Sequence, residues 1–201
     1  MIRREVRLTL IAIVSSLTIL VALFKLEIPY PLLPFLKFDL AEVFPFFYLI
    51  LTNIITDSIL VELVHFIFLL YRSAFTPIGP LMKFMAVTSM LIGYWIGLKL
   101  VSSIKSKTSL SLIPPLLLSI LLRCTIMSIA NYLVLVWIAP YFLILAEKYF
   151  REMGFLIHST LTTCMIVIGI FNFLHTLMSF ILAYYMSKII SHNTKFLRFK
   201  S

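Results

Sequence analysis

Residues Ser159–Ile190, STLTTCMIVIGIFNFLHTLMSFILAYYMSKII, decide the fold class. A helix needs about 20 mainly apolar residues to cross the roughly 30 Å hydrocarbon core of a bilayer. This stretch exceeds that length and meets its only fixed charge, Lys188, near its end. Outward from it the rest of the chain reads alike. Of 201 residues, 62% are hydrophobic and 12% are charged, and the mean hydropathy is +1.09. Soluble chains carry roughly a quarter charged residues, so the apolar excess is more than one core could bury. A soluble domain, a nucleic-acid module and a disordered tail are excluded. The runs are long and unbroken rather than short and alternating, which argues against a β-barrel. Backbone groups in lipid must pair within their own segment, so the expectation is an all-α membrane protein.

Six spans are read in a single domain over 1–201, approximately 6–24, 41–55, 57–71, 81–101, 110–137 and 159–190. The first run lacks a small-residue cleavage site and fits a span rather than a signal peptide. The polar cluster Asn53, Thr56, Asp57 and Ser58 divides the second span from the third. Between the first two spans, Lys25 to Leu40 holds Pro29, Pro31 and Pro34 and cannot be helical. It is apolar for a loop and is expected to pack on the protein or line a cavity. The segment 139–154, with Glu147, Lys148, Arg151 and Glu152, reads as exposed or interfacial.

The net charge of +9 is best assigned to loops on one side of a membrane, not to nucleic acid. Arg3, Arg4, Arg7, Lys99, Lys105, Lys107, Lys188, Lys195, Arg198 and Lys200 fall on the side of the termini. On the other side Lys25, Lys37, Arg72, Lys83, Lys148 and Arg151 are nearly offset by Glu27, Asp39, Glu42, Glu147 and Glu152. Both termini are therefore expected in the cytoplasm of a multi-pass cell-membrane protein. Cys124 and Cys164 sit inside apolar runs and read as small apolar fillers.

Ionisable and amide groups inside spans carry a cost that points to function. Arg123 and Asn131 lie two turns apart on one helical face. Asn172, His175 and Ser179 form a stripe, Lys83 sits just inside the fourth span, and Glu62 and His65 are an i, i+3 pair. One reading is a ligand pocket walled by the last three spans and lidded by the outer loops. The other is helix–helix glue, with Arg123 paired to Glu62 as a structural ion pair. Ala12 and Ser16 are a small-xxx-small pair, which serves either a partner helix or internal packing. The four histidines, His65, His158, His175 and His192, show no metal-ligand spacing, and no nucleophile elbow, metalloprotease or phosphate-loop motif occurs. The expectation is a protein that is not an enzyme and has no cofactor.

Four stretches, in order, resemble the substrate-binding S components of energy-coupling factor (ECF) vitamin transporters, of the riboflavin type. Pro34-Phe35-Leu36-Lys37-Phe38-Asp39-Leu40-Ala41-Glu42-Val43 is similar to the family's first loop, a Leu-x-x-Asp-hydroxyl-Asp-hydrophobic-Pro pattern. Gly79-Pro80-Leu81-Met82-Lys83-Phe84-Met85-Ala86 resembles Gly-Pro-x-x-Asn-Phe-x-Ala. Asn131-Tyr132 is followed by Pro140-Tyr141, and Phe171-Asn172-Phe173-Leu174-His175 resembles Phe-Asn-x-x-Lys. The resemblance implies a six-helix bundle that binds riboflavin, or a related flavin, tightly. Phe38, Asp39, Leu40, Lys83, Asn131, Asn172 and His175 would form the ligand site. Ala12 and Ser16 would dock on a membrane coupling subunit attached to ATPase subunits, which supply the energy. The departures fall at Lys83, where the family has Asn, at His175, where it has Lys, and at Ala41 and Glu42 in the loop. They fit either the same ligand or another small vitamin or flavin derivative. A membrane scaffold without transport is the remaining alternative.

Overall fold

The computed structural model describes residues 3–72, 76–103, 109–155 and 159–193. Lys105, Lys107, Lys195, Arg198, Lys200 and His158, all named above, lie outside the described residues, as do residues 73–75.

Each expected span is a helix. The first is α1, Arg4–Leu23. After it, the proline-rich connector is an antiparallel hairpin of β1, Glu27–Tyr30, and β2, Leu33–Asp39. Glu27 pairs with Asp39, Ile28 with Phe38 and Pro29 with Lys37, with an irregularity at Tyr30. The sequence predicts only that this segment is not helical; its prolines leave extended backbone as the available conformation, and pairing two such stretches satisfies their polar groups. The Asp39 carboxylate then accepts the Ala41 amide at 2.8 Å and opens a 3₁₀ turn, Leu40–Glu42. That turn leads into α2, Val43–Thr52. Asn53 ends α2 in the left-handed region at φ 57°, a conformation Asn tolerates better than most residues. The expected break at the Asn53–Ser58 cluster is thus a helix stop.

α3, Ile55–Arg72, buries Asp57, Ser58, Val61, Glu62 and His65, one face at 3–4 spacing. α4, Ile78–Ser103, and α5, Ile113–Leu133, pack more closely than any sequence expectation above. A Cβ at Gly93 would meet the Leu118 carbonyl oxygen at 2.6 Å, and one at Gly97 would strike the Pro115 backbone. Small residues allow this approach in membranes, where apolar side chains gain little by leaving lipid. The Ser119 hydroxyl adds a bond across to the Met90 carbonyl at 2.8 Å. α5 widens into a π-turn, Val134–Ile138, just before Pro140. The expected interfacial segment is a separate amphipathic helix, α6, Tyr141–Glu152, which buries Ala146 and Phe150. α7 runs from Thr160 to Asn193.

Among the described residues, four helices are long and apolar enough to cross a membrane: α1, α4, α5 with its π-turn, and α7. α2 is only ten residues, and α3 carries Asp57 and Glu62. The outer faces are apolar, with Leu117, Leu121, Ile129 and Ile166 each about 60% exposed, while polar side chains turn inward. The chain is built as a multi-pass membrane protein. Arg7 of α1 pairs with Asp57, which also accepts from Tyr48 at 2.9 Å. The start of α1 and the α2–α3 corner therefore share one end of the bundle. The hairpin, the start of α4 and α6 share the other, through Lys83–Asp39 and the Phe35–Phe142 contact at 5.2 Å.

Candidate ligand-binding site

At the hairpin end, Lys83 lies on the second turn of α4 and reaches two hairpin carboxylates. Its ammonium donates to Asp39 and, at 3.3 Å, to Glu27. Lys37 holds the other Glu27 oxygen at 2.8 Å. Asp39 is 1% exposed. Burial alone would raise its carboxyl, but Lys83 and His65 outweigh burial and hold it below the usual carboxylate range. Glu27 behaves likewise: burial pushes it up, and Lys83 and Lys37 bring it down further. Both carboxylates are therefore charged at neutral pH.

His65 stands behind Asp39. Its Nε2 is 3.8 Å from Asp39 Oδ2, and its Nδ1 is 3.3 Å from Glu62 Oε2. Both His65 and Glu62 are fully buried, and His65 Nε2 and Glu62 Oε1 make no hydrogen bond. His65 Nε2 thus faces the hairpin carboxylate with hydrogen-bonding capacity to spare.

Deeper in, Arg123 of α5 is 1% exposed, midway along a helix whose neighbours Leu117 and Leu121 face out. It donates to Glu42 Oε2 at 2.8 Å and to Asn172 Oδ1 at 3.2 Å, and its Nη2 lies 3.0 Å from His175 Nδ1. A guanidinium only donates, so His175 Nδ1 accepts and its proton sits on Nε2. Nε2 lies 3.4 Å from both Glu42 Oε2 and the Asp39 carbonyl oxygen and 3.3 Å from the Asp39 amide nitrogen, and with the proton on Nε2 it donates towards the two oxygens and does not accept from that amide. Arg123 thus ties three side chains and, through His175, the end of the hairpin.

Rings cover this layer. Phe38 lies 4.9 Å from Phe171 and 5.4 Å from His175, and Tyr30 lies 5.4 Å from Phe171 and 5.6 Å from Phe38. Beneath Tyr30 and Leu33 a buried cluster includes Phe150, Cys164 and Ile168.

Of the residues expected at a ligand site, Phe38, Asp39, Lys83, Asn172 and His175 converge. Leu40 is half-buried just beyond, its amide bonded to the Leu26 carbonyl at 3.2 Å. Asn131 is buried on the same face of α5 as Arg123 and donates to the Met127 carbonyl of its own helix at 2.7 Å. The expected Arg123–Glu62 pair does not form. Arg123 reaches Glu42 instead, because the 3₁₀ turn carries Glu42 into the interior while Glu62 is held by His65. Glu27 and Tyr30 join the site unforeseen, since their position depends on the hairpin register. Ala12 and Ser16 face outward on α1, beside exposed Ile13, Leu17 and Leu20.

No family model matches the sequence, and no curated protein matches it. A solved structure of the S component of a bacterial ECF transporter matches the fold, with a TM-score of 0.73 over 96% of this chain and 99% of that one. The fold is that of an ECF-transporter S component. Sequence identity to that S component is 20%, so the match speaks for architecture over the whole chain and leaves the ligand to the side chains. Within this S-component fold the converging polar groups lie under a hairpin, between helices, where a bound solute would be shielded from both water and lipid.

Proposed function

We propose that the chain is the solute-binding membrane subunit of an ECF-type uptake transporter, and that its ligand is riboflavin or a related flavin. One observation carries this reading: a hairpin closes over buried, chemically diverse polar groups inside an S-component fold. Helix glue would need only enough polar groups to pair with one another. Here Glu62 Oε1 and His65 Nε2 have capacity left over, His65 next to the Asp39 carboxylate of the hairpin. Phe38 and Phe171 suit the faces of an isoalloxazine ring, and the Asn172 amide can both donate and accept along its polar edge. The finer choice of a flavin rests on the ordered motifs that resemble the riboflavin type.

In this reading six helices cross the cell membrane, with both termini in the cytoplasm and the hairpin outside. The exposed small residues Ala12 and Ser16 meet a membrane coupling subunit. ATPase subunits bound to it supply the energy, and the chain itself performs no chemistry. The test is the visible absorption and fluorescence of the detergent-purified protein, then titration with riboflavin. A flavin spectrum near one per chain, or saturable quenching of added riboflavin, is expected. A colourless protein that quenches none of it overturns the flavin reading.

A further inference from the structure

The hairpin fills the place a ring would take. Phe38 lies 4.9 Å from Phe171 and 5.4 Å from His175. A ring sandwiched between two others needs about 3.5 Å on each side, roughly 7 Å in all. For a flat ligand to reach Phe171 and His175, Phe38 must withdraw. Asp39 is the next residue and Glu27 is its cross-strand partner, so both carboxylates leave with it. Lys83 does not follow. It belongs to α4, which is locked against α5 at Gly93 and Gly97. Of the carboxylates that stay, Glu42 is bound to Arg123 at 2.8 Å and Glu62, through Oε2, to His65 at 3.3 Å, and neither has a bond to Lys83. An ammonium would then stand in a largely buried site without a counter-charge, which is strongly unfavourable.

We propose that Lys83 and His65 form a receptor for an acid group on the ligand, a carboxylate or a phosphate, and that the hairpin's own Asp39 holds this receptor in the closed structure. Both groups converge on one oxygen. Lys83 Nζ bonds Asp39 Oδ2, and His65 Nε2, fully buried and without a hydrogen bond, faces the same atom from 3.8 Å. Phe38 and Asp39 are successive residues of β2, the ring set on α7 and the carboxylate on Lys83 and His65, so together they occupy the places of a ring and of an acid group joined to it. Such a ligand replaces both at once and restores the charge balance, whereas a neutral ring restores only the stacking. This inference rests on the proposed role as a ring-binding transport subunit and narrows its ligand.

The test uses the detergent-purified full chain and two matched pairs of probes: riboflavin with riboflavin 5′-phosphate, and nicotinamide with nicotinate. Within a pair the ring is shared and the acid is not. The acid member of at least one pair is expected to bind about tenfold or more tightly, the scale of one charge-assisted hydrogen bond. Lys83→Met should abolish the preference. Asp39→Asn should strengthen binding of the acid by weakening its internal competitor, a sign that a merely structural role for Asp39 would not give. Preference for nicotinate with no binding of either flavin would sink the flavin reading and uphold the acid receptor. Tight riboflavin binding with no gain from the phosphate, together with no nicotinate preference, would do the reverse. Binding of none of the four overturns the proposal, as does an acid preference that survives Lys83→Met.

Discussion

Arg123 is a guanidinium buried half-way along an apolar helix, and its partners explain how it is tolerated. Four of its contacts, to Glu42, Asn172, His175 and the Met90 sulfur, fall within 3.4 Å. Removing one member of a buried pair leaves the other charged and unpaired, at a cost of about 3–5 kcal/mol. Arg123→Met is therefore expected to lower the thermal midpoint in detergent sharply by stranding Glu42. Adding Glu42→Gln should recover much of the loss, and a double variant no more stable than the single one would show that Glu42 is not the partner that matters. The charge itself was legible in the sequence, since Arg in a span stands out against its neighbours. Its partner was not, because Glu62 lies on a helix that could be drawn while Glu42 depends on a 3₁₀ turn set by one Asp39 side chain. Asn131 lies, as its spacing indicates, on the same buried face of α5 as Arg123, and its amide donates to its own helix, as that of Asn172 also does.

The hairpin is anchored by the Lys83 pairs to Asp39 and Glu27 and by the rings around Phe171. Cys164, fully buried in one cluster with Tyr30 and Leu33, offers a natural reporter of its opening. In a Cys124→Ser chain, a thiol reagent is expected to label Cys164 slowly, and Lys83→Met should speed labelling about tenfold, as loss of a charge-assisted contact would. The pH dependence has a definite sign. Asp39 titrates below its usual range in the closed state, so closure is favoured above the ordinary carboxylate value near 4 and lost as pH falls through the lowered one. The groups facing Asp39 are Lys83, Glu27, His65 and His175. With Asp39 and Lys83 both charged, labelling should stay slow between about pH 5 and 8; hairpin opening within that window would assign control to one of the histidines instead. The prolines mark this segment in the sequence as non-helical. They could not give the strand register, because pairing joins residues about ten positions apart through non-local contacts.

At the scale of the molecule, the long apolar runs made each of the six expected spans visible before its packing was known, since backbone polar groups in lipid must pair within their own segment, whereas α6 was legible only as an interfacial stretch. The closest helix contact was missed, although Gly93 and Gly97 four residues apart are the pattern that permits it. The outward face of α1 has a distinct prediction. Ala12→Trp adds bulk to an exposed position far from the hairpin, so it should leave ligand binding by the purified chain unchanged while abolishing uptake in cells with the coupling module. Loss of binding, or normal uptake, would remove Ala12 from the proposed docking face. The shortness of α2 also has a consequence for the lipid outside the protein. With its leading turn it spans Leu40–Thr52, about 20 Å of rise against a hydrocarbon layer of about 30 Å. No residue of that stretch is exposed, and Val43, Phe46, Phe47, Tyr48 and Leu49 lie in the core. The height that the bilayer meets is therefore set by the longer helices packed around α2, and a span too short to cross the membrane alone imposes no thinning on the surrounding lipid.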